Sequence, residues 1–376
     1  MKEYVFLTGT AVFTMFLTLI LQVLTLNLTR SNIYLGVRIP EDKRDDKELK
    51  KLGKEFTRAN FLFGIPLIGV LSILIYITKN IGVYITAIFG YILFIFLIYY
   101  YFNNKVKELK AKNSWLNTKK QEVIIDTKFS REKRRYAMPS SWWFIIPLII
   151  IAVNIAVNLK YYEFLPSIVP THWDFNGQVN GYQHKSGILI YEMPLFQLFM
   201  TGILFISFKG IGWSKQELSG INPEESKERN KIFRRAWGIY FIITTIAVNL
   251  IFTVGDFQIM QVAYISNTIS TFLISGFTMF IIGGSIIISV KVGQGGSKLK
   301  FPNEKNEEVI FHRDDDKYWL LANSIYYNPE DPSVFVEKRF GIGWTVNAGT
   351  FPGKAIYAGT ILLLIIPLVI CFILEK

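Results

Sequence analysis

The sequence predicts an all-α polytopic membrane protein of about eight transmembrane helices, and three observations predict it. Of its 376 residues 51% are hydrophobic and 15% aromatic, and the mean hydropathy is +0.31, too apolar for a water-soluble globule. Eight stretches carry the roughly 20 consecutive apolar residues that a helix needs to cross a bilayer. The basic residues fall in every second connection between those stretches.

The stretches run approximately over 4–27, 60–79, 81–103, 142–160, 187–208, 236–255, 265–290 and 355–374. Each is read as a helix because an unsatisfied backbone group in lipid costs several kcal/mol. The first is longer than a signal-peptide core, follows a single lysine and lacks a small-x-small cleavage pattern, so it is expected to be a retained span. The second and third are joined only by Lys79, Asn80, Ile81 and Gly82, which makes them antiparallel neighbours. Pro66, Pro147, Pro194 and Pro367 fall inside spans, where kinks are tolerated. Trp142, Trp143, Trp213, Trp237 and Trp344 lie near span ends, as an aromatic belt does.

The formal net charge is +12, and 36 of the 41 Lys and Arg lie in the connections 28–59, 104–141, 209–235 and 291–354. Basic loops are retained on the cytoplasmic side, so these four are expected inside and both termini outside. The charge is thus topogenic, and no nucleic-acid partner is expected. The cluster Arg131, Lys133, Arg134 and Arg135 is suited to anionic lipid headgroups. The chain divides into 1–141, three spans with two basic loops; 142–208, spans four and five with the external loop 161–186; 209–290, spans six and seven; 291–354, a cytoplasmic insertion; and 355–376, the last span.

In the insertion, Asp314-Asp315-Asp316 precedes Lys317-Tyr318-Trp319-Leu320-Leu321 and is expected to cap a short helix. Val334 to Val336 and Phe340 to Val346 have strand composition and predict a small β-ribbon. Gly210-Ile211-Gly212-Trp213 recurs as Gly341-Ile342-Gly343-Trp344, too short a match to define a repeat.

The chemistry-bearing residues concentrate in the external loop, which reads from Leu165 to Lys185. Pro166 and Pro170 stiffen it, Asn176-Gly177 and Asn180-Gly181 are turn dipeptides, and Trp173, Phe175 and Tyr182 can pack it down, predicting a folded outer cap. Its candidate binding residues are His172, Trp173, Asp174, Gly177, Tyr182, His184 and Lys185. His172 and His184 with Asp174, and Glu163, Glu192 or Asp256, are the weak candidates for a metal, but no zinc-motif spacing is present. A histidine here is also a candidate pH switch. Within the spans, Glu192, Asn154, Asn158 and Asn249 are the polar residues that would line an interior pocket or bond helix to helix.

Enzyme chemistry finds no foothold. The single cysteine, Cys371, excludes an intramolecular disulfide and a Cys-x-x-Cys pair. No Gly-x-Ser-x-Gly elbow is present, and the third histidine, His312, falls on the other side of the membrane from the cap. Gly293-Gln294-Gly295-Gly296 lacks the Lys-Ser/Thr of a phosphate loop. No catalytic residue and no cofactor is expected.

The segment Leu165-Pro166 through Pro170-Thr171-His172-Trp173 to Gly177, followed by Gly181, Tyr182 and Lys185, resembles the signature of a bacterial membrane domain that also occurs in SdpI-like immunity proteins. Leu35-Gly36-Val37-Arg38-Ile39-Pro40 with Arg44-Asp45-Asp46, and Tyr326-Tyr327-Asn328-Pro329 to Trp344-Thr345-Val346-Asn347, resemble further parts of the longer members. The resemblance implies a multi-pass protein of the bacterial plasma membrane, with one branch protecting its producer from a secreted toxin. That branch has a further multi-span region not identifiable in this sequence, and no catalytic residues come with the group. Two function classes follow. One is a non-enzymatic immunity, envelope-defence, sensor or accessory protein whose cap meets a peptide toxin or envelope protein. The other is a transporter or permease-like component, with a metal-dependent envelope enzyme as a further alternative. Membrane lipids are the remaining expected partner.

Overall fold

A computed structural model describes residues 2–30, 32–40, 43–115, 137–174, 177–214, 223–299, 315–339 and 343–374. It is 72% helical with little sheet, and seven of its helices are long and apolar enough to cross a membrane. An eighth, Phe351–Leu374, is helical over 24 residues. The protein is a multi-pass membrane protein.

The helices are α1 (Lys2–Leu28), α2 (Lys47–Thr78), α3 (Ile81–Lys112), α4 (Ile145–Tyr161), α5 (Glu192–Trp213), α6 (Pro223–Ile259), α7 (Asn267–Val292) and α8 (Phe351–Leu374). Four two-stranded antiparallel sheets accompany them: β1 (Ile33–Tyr34) with β2 (Val37–Arg38), β3 (Ile168–Trp173) with β4 (Val179–His184), β5 (Trp319–Leu320) with β6 (Ile325–Tyr326), and β7 (Phe335–Glu337) with β8 (Trp344–Val346). Helices α2, α3 and α6 run well past the apolar stretches, since their polar ends keep a helical sequence beyond the hydrocarbon. At about 1.5 Å per residue, the 32 residues of α2 reach about 48 Å, more than a hydrocarbon core of about 30 Å.

The chain forms two compact units. One comprises Leu7–Asp126, Trp213–Asn230 and Val292–Lys376. Here Asp46 caps α2 by accepting from Glu48 N and Leu49 N. Lys79 closes α2 in the left-handed conformation, and Asn80 at once caps α3 through Gly82 N and Val83 N. Two residues thus reverse the chain, because both orphan ends are satisfied locally. Along the hairpin, Ala11, Met15 and Leu19 of α1 pack on Ile68, Ile75, Tyr91 and Ile95, while Phe56 meets Tyr99 and Phe102 edge-on. Gln22 Nε2 donates to Asn60 Oδ1 at 2.7 Å and to the Ile95 carbonyl at 2.8 Å, clasping three helices in the apolar layer.

The same unit folds the segment 35–40 against the insertion. Leu35, Val37 and Ile39 share a core with Leu49, Phe56, Tyr99, Val106 and Ala322, and Asn103 Nδ2 donates to the Leu35 carbonyl at 2.6 Å. The ribbon expected near 334–346 is β7–β8, held by the fully buried Asn347. Its amide donates to Asn328 O and Asp331 O and accepts from Asn328 N and Gly349 N. The expected helix after the aspartates is only a 3-10 turn, Asp316–Tyr318, and Trp319–Leu320 is a strand. Asp315 makes no side-chain cap bond, because both aspartates are engaged elsewhere. Asp314, His312 and Gly341-Ile342 lie outside the described residues, as does the 131–135 cluster.

The other unit comprises Met1–Phe6, Thr127–Gly212 and Lys231–Lys291. Phe144, Phe208 and Ile242 form its core at one end, and Leu165, Val169, Leu189 and Met260 at the other, beneath the β3–β4 hairpin. Pro147 and Pro194 are each the third residue of their helices, not mid-span kinks. A first-turn N–H has no intrahelical partner, so proline costs little there. Trp142 and Trp143 are exposed just before α4, as belt residues are, and Trp213 of the first unit is exposed at the end of α5.

Candidate functional site

The 161–186 loop folds as the β3–β4 hairpin, two six-residue strands in antiparallel register from Ile168↔His184 to Trp173↔Val179. Asp174 makes the turn. Its carboxylate accepts from Gln178 N at 2.7 Å and its carbonyl from Gly177 N at 2.8 Å, with Gly177 at φ +75°. Phe175 and Asn176 lie outside the described residues. Asn180-Gly181, expected as a turn, sits inside β4. A Cβ on Gly181 would come within 2.7 Å of His172 Cβ, at the point where the β3 register shifts by a bulge. Glycine there permits close approach of two strands, not reversal of the chain.

The base of the hairpin is locked. Lys185 Nζ donates to the carbonyls of Glu163 and Leu165, both at 3.0 Å, and lies 5.0 Å from the Tyr162 ring. Val169 is fully buried and ties β3 to Leu165, Leu189 and Met260. Ile168, His172, Asn180, Tyr182 and His184 are exposed, and His172 Nδ1 pairs with Asn180 Oδ1. Trp173 is half-buried. His172 lies opposite Gly181 whereas His184 lies three residues further along β4, about 10 Å away at the strand rise. The two imidazoles therefore do not form a pair, and among the described residues no three of His, Cys, Asp and Glu gather as metal ligands would.

Below the hairpin, α4, α5 and α6 share a buried polar column in three rungs. In the first, Asn158 Nδ2 donates to the Ile190 carbonyl and to Asp256 Oδ2, both at 3.0 Å. In the second, Asn154 Nδ2 donates to Gln197 Oε1 and Thr253 Oγ1, both at 2.9 Å, and Gln197 Nε2 to Thr253 Oγ1 at 3.2 Å and to the Asn249 carbonyl at 2.9 Å. In the third, Asn249 Nδ2 donates to Thr201 Oγ1 and the Thr245 carbonyl, both at 2.9 Å. Asn154, Asn158, Gln197, Asn249 and Asp256 are at most 1% exposed.

Asn154, Asn158 and Asn249 are thus brought together, while Glu192 is not with them. Glu192 opens α5 and is exposed, and the carboxylate inside the bundle is Asp256. Gln197, Thr253 and Asp256 complete the column, and a signal for them exists in the sequence. Thr245, Asn249, Thr253 and Asp256 are spaced to share one helical face, as are Asn154 with Asn158 and Gln197 with Thr201.

The other unit holds a different polar centre. Asp315 accepts from Arg38 Nε at 3.0 Å and from Arg339, and Asp316 accepts from Lys110 Nζ at 2.6 Å and from Arg339. Arg30 pairs with Glu337 at 2.5 Å, and the Arg339 guanidinium lies 5.2 Å from the Trp319 ring centre. Burial by itself would raise the Asp316 pKa, but Arg339 and Lys110 outweigh it and hold the carboxyl below its usual range. These ions bind the 35–40 segment and the end of α3 to the insertion.

No curated protein and no solved structure matches the chain. Residues 149–198, which span most of α4, the hairpin and the start of α5, match a domain of unknown function, DUF1648. Residues 329–354, with β7, β8 and Asn347, match a family of unknown function, DUF5808.

Proposed function

We propose that the protein is a non-enzymatic envelope protein of the bacterial plasma membrane, of the SdpI-like kind, whose hairpin faces outward and meets a secreted peptide or an envelope protein. The observation that carries this reading is the hairpin itself. It presents an exposed face of mixed chemistry, Ile168, His172, Asn180, Tyr182 and His184, on a base immobilised by Lys185 and Val169. A rigid face loses little entropy on binding, and tyrosine with adaptable polar neighbours suits peptide recognition. The function reads as immunity or envelope defence.

The test is survival of a sensitive bacterial strain producing wild type, His172→Ala or Tyr182→Ala against a panel of secreted antimicrobial peptides. Wild type is expected to protect, and the two variants to lose protection at equal membrane abundance. Protection undiminished in both variants would overturn the reading. The orientation is tested separately in a Cys371→Ser background: Gln178→Cys should react with an impermeant thiol reagent on intact cells, and Lys317→Cys only after lysis.

A transport role is the second reading, favoured by the buried column of Asn154, Asn158, Gln197, Asn249 and Asp256. It calls for flux in proteoliposomes that Asn154→Leu abolishes.

A further inference from the structure

The column has a donor deficit. Asn154, Asn158, Asn249 and Gln197 each direct both amide hydrogens to a protein acceptor. Nevertheless Asn154 Oδ1, Asn158 Oδ1 and Asn249 Oδ1, all buried, accept no hydrogen bond from any of the described residues. Turning an amide over would only exchange one unmet group for another, since its partners are themselves oxygens. Thr253 does not relieve the shortage, because its hydroxyl donates to the Asn249 carbonyl at 2.8 Å. To this surplus of oxygen Asp256 adds a carboxylate, 1% exposed and in no ion pair among the described residues. Such groups are normally satisfied, and a buried charge is normally compensated.

What the rung of Asn158 and Asp256 lacks, among the described residues, is one positive charge. Amide, carbonyl and carboxylate oxygens are hard ligands, and one carboxylate among neutral oxygens is neutralised by one elementary charge. We propose that the rungs around Asn158 and Asp256 form a binding site for a small monovalent metal cation, with Asp256 as its anionic ligand and the Asn158 amide turned to offer its oxygen. In that state Ile190 O, Asn158 Oδ1 and Asp256 face the ion, and Asn154 of the next rung lies one helical turn along α4. Because Ile190 is joined to β4 by five residues, the cation also braces the chain just beyond the hairpin. The inference is independent of what the hairpin binds.

The test is binding of radioactive Na+ to the purified full chain in detergent, with thermal unfolding in NaCl and in choline chloride at equal ionic strength. Saturable binding of one ion per chain is expected, with a rise in midpoint that choline does not reproduce. Asp256→Asn, which keeps the shape of the side chain, should weaken the apparent affinity at least about tenfold. The swap Asn158→Asp with Asp256→Asn moves the charge within the rung and should restore binding, which separates a ligand role from a folding defect. Absence of saturable Na+, K+ or Li+ binding to wild type would overturn the proposal, as would binding unchanged in Asp256→Asn. A stability that follows pH alone and no cation would equally overturn it.

Discussion

The two polar centres solve the same problem in opposite ways. Around Asp315 and Asp316, formal charges are buried, but each carboxylate meets at least two cations, and the cluster lies in the insertion beyond the apolar stretches. In the column the groups are nearly all neutral amides and hydroxyls, placed on three helices long and apolar enough to span a membrane. Desolvating an ion costs several kcal/mol, so ions are used where partners can be stacked around them, and amides where they cannot. The comparison also separates roles. The ionic cluster pairs each carboxylate with two cations and reads as structural, whereas the Asp256 carboxylate accepts from the neutral Asn158 amide and forms no ion pair among the described residues.

The largest effect that would break this contrast is Arg339→Ala. It strips both aspartates of a shared cation, and the loss of stability should be about 3–5 kcal/mol, read by thermal unfolding in detergent and by proteolysis within 315–347. An effect near zero would mean that Arg38 and Lys110 suffice. The column should be less sensitive. Asn154→Leu removes two hydrogen bonds and leaves Gln197 Oε1 without its donor, costing about 1–3 kcal/mol, while Asn154→Leu with Gln197→Leu should cost less than the two singles added.

Acid sharpens the comparison further. The Asp316 pKa is depressed below 3.8, so the stability it contributes is complete above that value and is lost as pH falls through the lower folded value. Proteolysis of the insertion should therefore begin only below about pH 4, and Asp316→Asn should remove that onset. The smallest effect is at the hairpin surface. His172→Ala deletes an exposed side chain and should shift stability by no more than about 0.5 kcal/mol, so any loss of protection it causes reports on recognition and not on folding.

The reach of the sequence is clearest in particular residues. The eight apolar stretches, the Lys79-Asn80 reversal and the β7–β8 ribbon follow from it, because each depends on local composition or on capping groups within a few residues. The aspartates show the limit. Read locally, Asp315 and Asp316 resemble a helix cap, yet their partners Arg38 and Lys110 lie more than 200 residues away in the chain. Asn180-Gly181 fails for the same reason. Its glycine answers to His172 across the hairpin, not to the turn its dipeptide suggests.

By itself the sequence determined that this chain is a multi-pass helical membrane protein. Lipid admits few other arrangements for runs of about 20 apolar residues, so hydropathy alone decides the class. Only the tertiary structure decided which polar residues meet. Glu192 and Asp256 are both carboxylates near span ends, and hydropathy does not distinguish them, although Asp256 shares a helical face with Thr245, Asn249 and Thr253. The rotation of α5 and α6 about their axes leaves the first exposed and turns the second toward Asn158. That rotation is set by packing among helices, which is a property of the assembled bundle and of no single segment.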